Sequence, residues 1–279
     1  MDQPAIESDP KRIPVSRAAN AQLQEAPETA IRAALEQVAA YTIGFVQIGG
    51  SGRKLLGSGT LITIDGRRVI LTSNLVLEQL PVTGRLGLVL RTHLNQISVD
   101  VADLTYRSRP AELTSSDAPD LGTVLLSAPV AERISGYNRF YDLPAKPQRV
   151  ASTVSQPQSG FWCLNGFVNE LTTTELPLDC FDMIRGYTNI GGIAEPLPTH
   201  GSAQFAFTRF GIPSGVPTLE GMSGAGLWWV DESRAAAGRS AALTPALSGA
   251  VSMQLENLGA PTLFQCHEWM SDDRDLMQS

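Results

Sequence analysis

With 279 residues, 43% of them hydrophobic and 18% charged, the chain is long enough for one large all-β domain or two modest lobes with buried cores. A net charge of −7, with no local Lys/Arg cluster to offset it, argues against a nucleic-acid partner, which would need a basic surface to release counterions. No run approaches the roughly 18 apolar residues of a membrane span, so no membrane association is expected. The start Met1-Asp2-Gln3-Pro4 lacks the basic and apolar regions of a secretory signal. A cytoplasmic location is therefore expected, with a secreted form whose signal had been removed as the alternative. Cys163, Cys180 and Cys266 are odd in number and lack metal-ligand spacing, which reads as buried thiols without disulfide, metal or cofactor.

Residues 1–27 are polar and interrupted by Pro4, Pro10, Pro14 and Pro27, which marks an arm rather than a packed element. From Glu28 to about Ala40, residues Ile31, Leu35 and Val38 recur at helical spacing behind Pro27, predicting one short amphipathic helix. The period then changes. β-branched runs at 42–49, 59–64 and 68–72 are separated by turn residues, and Asp65-Gly66 is a hairpin signal. Similar runs at 86–90, 97–101, 121–126, 160–168, 204–210, 226–230, 247–253 and 262–266 predict many short strands, as in a barrel or sandwich. They form two groups about a proline-bearing stretch (Pro129, Pro144, Pro147). This divides the chain into an arm with a helix (1–40), a first lobe (41–135) and a second lobe (136–279), with a terminal helix expected over 267–277.

The sharpest local pattern is Glu220-Gly221-Met222-Ser223-Gly224-Ala225-Gly226, a serine set among glycines ahead of the apolar run Leu227-Trp228-Trp229-Val230. Glycines on both sides let the backbone turn tightly and bring its N–H groups close to a bound carbonyl, the arrangement an oxyanion hole needs. Taken alone, a Ser-Gly turn before a strand is a common structural feature. Three further segments add weight: Gly57-Ser58-Gly59-Thr60-Leu61-Ile62 with Val69-Ile70-Leu71-Thr72-Ser73, Asp117-Ala118-Pro119-Asp120-Leu121-Gly122, and Leu247-Ser248-Gly249-Ala250-Val251-Ser252.

In order and spacing, these four segments together resemble the trypsin-like serine peptidases of the chymotrypsin fold, over roughly residues 42–266. The resemblance implies an all-β chain of two six-stranded antiparallel β-barrels, preceded here by the short helix. It also implies an endopeptidase acting through an acyl-enzyme on Ser223, with Asp120 as the orienting acid and the N–H groups of Gly221 and Ser223 as oxyanion donors. Pro217 and the backbone of Ser252, Met253 and Gln254 would frame the substrate, a peptide or protein pairing as an added strand. No carboxylate stands near Pro217, which favours a small or apolar side chain at the cleaved bond over Arg or Lys.

The departure is at the base. Where the family has histidine after Thr-Ala-x, this chain has Leu75 after Thr72-Ser73-Asn74. Leucine accepts no proton, and loss of the triad histidine costs about 10⁶-fold in kcat, roughly 8 kcal/mol. His93, His200 and His267 lack the sequence context to replace it. Two histories fit: a natural pseudopeptidase used for peptide binding or regulation, or a peptidase whose histidine was replaced. An unrelated β-sandwich is the third reading. Among weaker signals, the glycines of 49–52 and 57–59 read as flexible strand connections rather than a phosphate loop, since no Gly-Lys-Ser/Thr follows. Trp228 and Trp229 read as one core and one surface residue on a strand. The sequence leaves the oligomeric state open.

Overall fold

The computed structural model describes residues 28–48, 54–91, 96–108, 120–143, 160–175, 184–197, 204–209, 218–231, 245–254 and 262–268. Helix α1 (Glu28–Ala39) forms as its spacing predicts, burying Ile31, Ala34 and Val38 on one face. The first sheet comprises β1 (Thr42–Gln47), β2 (Lys54–Ile64), β3 (Arg67–Thr72), β4 (Arg85–Val89), β5 (Gln96–Asp100), β6 (Leu104–Ser108), β7 (Gly122–Leu126) and β8 (Tyr141–Asp142). Their order is β5-β4-β1-β2-β3-β7-β6, a half-barrel, with β8 added to β2 in parallel. The second sheet comprises β9 (Gly160–Glu175), β10 (Ile184–Leu197), β11 (Gln204–Arg209), β12 (Gly226–Asp231), β13 (Pro245–Gln254) and β14 (Thr262–Glu268). It closes as a six-stranded barrel in the order β10-β11-β14-β13-β12-β9.

The all-β double barrel is thus the architecture of the chain, with one lobe closed and the other held as an eight-stranded half-barrel. The β2–β3 hairpin turns at Asp65 and Gly66, whose φ angles of 48° and 77° are the left-handed pair that a tight hairpin requires. A helical turn, α2 (Asn74–Leu77), follows β3, with the Ser73 side chain accepting from the Val76 N–H.

Several expectations are corrected. The stretch around Pro129 is a helix, α3 (Ala128–Ser135), with the proline in its first turn and Val130, Ala131 and Ile134 buried in the first-lobe core. Gly57 and Gly59 lie inside β2 rather than in a strand connection, while residues 49–53 fall outside the described residues. His267 and Glu268 complete β14 instead of opening a helix, and residues 269–279 lie outside the described residues. Trp228 and Trp229 are both buried, because β12 has a core on each face. Trp228 enters the cluster shared with the first lobe, and Trp229 joins the second-barrel cluster against Trp162, with ring centroids 5.2 Å apart.

The shared cluster is what joins the lobes. It brings Ile62, Ile64, Val69 and Leu71 of the first sheet against Phe161, Cys163, Trp228, Val230, Leu247 and Ala250 of the second, and α1 supplies Ile31, Ala34 and Val38 to the same cluster. Tyr41 stacks on Trp228 at 5.4 Å, and Tyr141 meets the same indole edge-on at 5.2 Å. Cys163 and Cys266 are buried free thiols whose pKa values burial pushes up, while Cys180 lies outside the described residues. Among the described residues no helix is long and apolar enough to cross a membrane.

Since Ile31 is 4% exposed in a cluster drawn from three parts of the chain, Ile31→Ala is expected to cost about 2–4 kcal/mol. Urea unfolding followed separately by tryptophan fluorescence and far-ultraviolet circular dichroism should show one coincident transition at a lower midpoint.

Candidate active site

The turn from Glu220 to Ala225 is fixed one peptide at a time. The Glu220 carbonyl accepts from the Asn169 N–H at 2.9 Å, and the Gly221 carbonyl accepts from the Ser58 hydroxyl at 2.7 Å. The Met222 N–H donates to the Leu219 carbonyl at 3.1 Å, and the Met222 carbonyl accepts from the Ala225 N–H at 2.9 Å. The Ser223 carbonyl accepts from the Ser58 N–H at 2.8 Å, and the Gly224 N–H donates to the Val251 carbonyl at 2.7 Å. The Val251 N–H returns a bond to the Ala225 carbonyl at 2.8 Å.

Between Gly221 and Ala225 two N–H groups remain: those of Gly221 and Ser223 donate to no backbone carbonyl among the described residues. A trans peptide is planar, so tethering the Glu220 and Met222 carbonyls aims the N–H groups of Gly221 and Ser223 the opposite way. Gly221 and Gly224 hold φ of +103° and +83°, which an L side chain rarely adopts. Space forbids substitution at Gly224 as well, since an added Cβ would collide with the Ser58 carbonyl and the Thr72 hydroxyl.

Ser58 is the residue that sequence reasoning passed over. Its hydroxyl accepts from the Phe167 N–H of β9 at 2.9 Å while donating to Gly221, so one buried side chain in β2 binds two segments of the second lobe. The Thr72 hydroxyl holds the Ser58 carbonyl in turn, at 2.7 Å. Ser58 stands inside the Gly57-Ser58-Gly59 motif, but nothing in the local pattern shows that its partners lie more than a hundred residues away.

Asp120 sits just before β7 and against the start of α2. Its Oδ1 accepts from the Asn74 N–H at 3.0 Å, and the Leu75 N–H is a second backbone donor to the carboxylate. Burial pushes the Asp120 pKa up. Those two N–H groups pull the other way, and the Glu78 charge adds to the rise. Its Oδ2 is buried and has no hydrogen-bond partner among the described residues. Leu75, one residue into α2, carries an apolar side chain that is 41% exposed.

The structure therefore brings Leu75 and Asp120 together through the Leu75 N–H. It places the Ser223 turn against β2 and α2, where a Cβ on Gly57 would clash with Val76 and lie 3.2 Å from the Ser223 carbonyl. Ser223 is half-buried. Ser252, Met253 and Gln254 form the end of β13, where the register shifts between Val251 and Met253. There β14 pairs with one side (Met253 with Gln265, Gln254 with Phe264), whereas the pairing with β12 stops at Ala250. Pro217, His93 and His200 lie outside the described residues, and the His267 backbone pairs with Ala250 in the β13–β14 ladder. Among the described residues no three His, Cys, Asp or Glu side chains gather as a metal site.

In overall shape the chain is similar to several solved proteases. A catalytically active tobacco etch virus protease in complex with product aligns over 89% of this chain and 80% of its own, at 11% identity and a TM-score of 0.43. Tobacco vein mottling virus protease aligns over 82% and 78%, at 9% identity and 0.42. A thermostable serine protease from an extremophilic microorganism aligns over 85% and 95%, at 9% identity and 0.47. No family model matches the sequence, and neither does any curated protein. At such identities the chemistry has to be read from the residues themselves.

The raised pKa of Asp120 has a definite sign in stability. A carboxyl whose folded pKa exceeds its unfolded value loses stability as pH rises through that interval, because the folded state binds the proton more tightly. Relative to Asp120→Asn, the wild type is expected to lose stability as pH climbs above about 4, the ordinary carboxylate value. Urea midpoints of both proteins at pH 4 and pH 7 should show the difference moving in that direction.

Proposed function

We propose that this chain carries the site of a trypsin-like serine endopeptidase, disarmed at its general base, and that it binds peptides in extended form without turning them over. The observation that carries the reading is the fixed Glu220–Ala225 turn, in which the N–H groups of Gly221 and Ser223 donate to no backbone carbonyl among the described residues. Donors held in place before any charge develops are what stabilise an acyl-transfer oxyanion, because they need no reorganisation during reaction. In the armed enzyme a histidine at position 75 would take the Ser223 proton as the oxygen attacks the scissile carbonyl, the two N–H groups would hold the resulting oxyanion, the imidazolium would give the proton to the departing amine, and water would then hydrolyse the acyl-enzyme. Asp120 would orient the base, and its unpartnered Oδ2 suits the imidazole N–H that a histidine at position 75 would present.

Leu75 supplies no such group, so the serine keeps its proton and attack is slow. The backbone at the end of β13, where Met253 and Gln254 pair with β14 and no partner stands on the β12 side among the described residues, suits an added peptide strand and does not depend on catalysis. The same features support the alternative of a natural pseudopeptidase acting as a peptide-binding or regulatory module. The two histories differ in origin rather than in present chemistry.

Labelling with a serine-directed fluorophosphonate tests the reading. Leu75→His should label at least about 10³-fold faster than the wild type, and Leu75→His with Ser223→Ala should not label at all. A folded Leu75→His protein that labels no faster than the wild type would remove the catalytic ancestry from consideration.

A further inference from the structure

We infer that the junction of the lobes binds one internal water molecule beside Gly226, at the head of β12, held by Trp228, Thr60 and Asn165. Three buried side-chain atoms there have no hydrogen-bond partner among the described residues: Trp228 Nε1, Thr60 Oγ1 and Asn165 Oδ1. Their residues are 0%, 0% and 2% exposed, so bulk solvent does not serve them. Two of the atoms converge on one point, since a Cβ on Gly226 would lie 2.6 Å from Trp228 Nε1 and 2.7 Å from Thr60 Oγ1. No side chain tolerates such contacts, and glycine leaves the place to the two polar atoms. Asn165 is the cross-strand partner of Gly226 on β9, so its side chain leaves the sheet on the same face, and Trp228, two residues along β12, does likewise. That face is the one turned to the first lobe, where Phe161, Cys163 and Val230 enter the shared cluster.

The donor set selects the ligand. An indole N–H only donates, an amide oxygen only accepts, and a hydroxyl does either. A cation would be repelled by the indole proton and an anion by the amide oxygen, so the ligand is neutral and both donates and accepts. Water does so with a single heavy atom, and a buried water ordinarily makes about three hydrogen bonds, the number these side chains offer. A direct bond between Trp228 and Thr60 is the competing arrangement. The indole is held away from it, stacked on Tyr41 at 5.4 Å and met edge-on by Tyr141 at 5.2 Å, so it cannot swing toward the hydroxyl without giving up both contacts. A bridging molecule satisfies Trp228, Thr60 and Asn165 where they stand. It also gives the apolar junction one polar tie between β2, β9 and β12, independent of the Ser58 hydrogen bonds and of any catalysis.

The test is made on the full-length protein in solution. In ¹⁵N-filtered NOESY and ROESY spectra the Trp228 indole proton, assigned through its own backbone resonances, is expected to show a cross-peak at the water frequency. Its sign should be opposite in the two spectra, which marks dipolar contact rather than proton exchange. Thr60→Val keeps the shape of the side chain and removes the hydroxyl. In that variant, checked for folding by its amide spectrum, the cross-peak is expected to survive at roughly half its strength or more, because Trp228 and Asn165 still hold the water. A wild-type spectrum without the cross-peak would overturn the inference, and the indole would then be bonded to Thr60 directly. Disappearance of the cross-peak in folded Thr60→Val would overturn it as well, as the mark of water protons relayed through the Thr60 hydroxyl.

Discussion

The polar junction between the lobes at the site is centred on one residue. Ser58 lies in the second strand of the first sheet, and its hydroxyl and N–H hold Gly221, Phe167 and Ser223 of the second lobe by three hydrogen bonds of 2.7–2.9 Å. The two hydroxyl bonds join buried residues, where a lost partner leaves an unsatisfied group costing about 1–3 kcal/mol. The geometry of the Ser223 turn is therefore set from the opposite lobe. Thr72 extends this support by holding the Ser58 carbonyl, and the same strand end leads into α2, whose backbone N–H groups hold Asp120. The acid and the nucleophile turn are thus positioned by two short steps from a single strand pair.

Behind this polar junction lies an apolar one. Trp228 carries the contact, with Tyr41 stacked on one side and Tyr141 at its edge. The polar junction fixes direction, because hydrogen bonds weaken steeply with misalignment, whereas the apolar junction supplies most of the favourable burial. Gly226 shows how closely the two approach: a Cβ there would lie 2.6 Å from the Trp228 indole nitrogen and 2.7 Å from the Thr60 hydroxyl. Both of those polar atoms are buried without a hydrogen-bond partner among the described residues.

What the sequence makes legible is local chemistry. Asp65-Gly66 declares a hairpin because its two residues tolerate the required φ, and α1 declares itself through Ile31 and Val38. The order of Leu75, Asp120 and Ser223 is visible for the same reason, since each stands in a short motif. Non-local pairing is not visible. β10 contains Gly186, Gly191, Gly192 and Pro196, residues poor in strand propensity, and is held by its ladders to β9 and β11 instead. Pro129 reads as a linker residue until its place at the head of α3 is known, because proline serves both roles. Ser58 is hidden more deeply, as its function exists only once two distant segments have come together.

The shared cluster also bears on the order in which the protein is made. α1 precedes every described strand, yet its buried face shares a cluster with Phe161, Trp228 and Leu247, which follow only after the whole first lobe has emerged. At ordinary elongation rates of about 5–20 residues per second, that interval is on the order of ten seconds. Throughout it, Ile31, Ala34 and Val38 lack the second-lobe surface that buries them. A nascent chain with an apolar helix exposed for so long is a natural client for chaperones that hold hydrophobic segments at the ribosome exit, and its release from them is timed by the synthesis of β12 and β13.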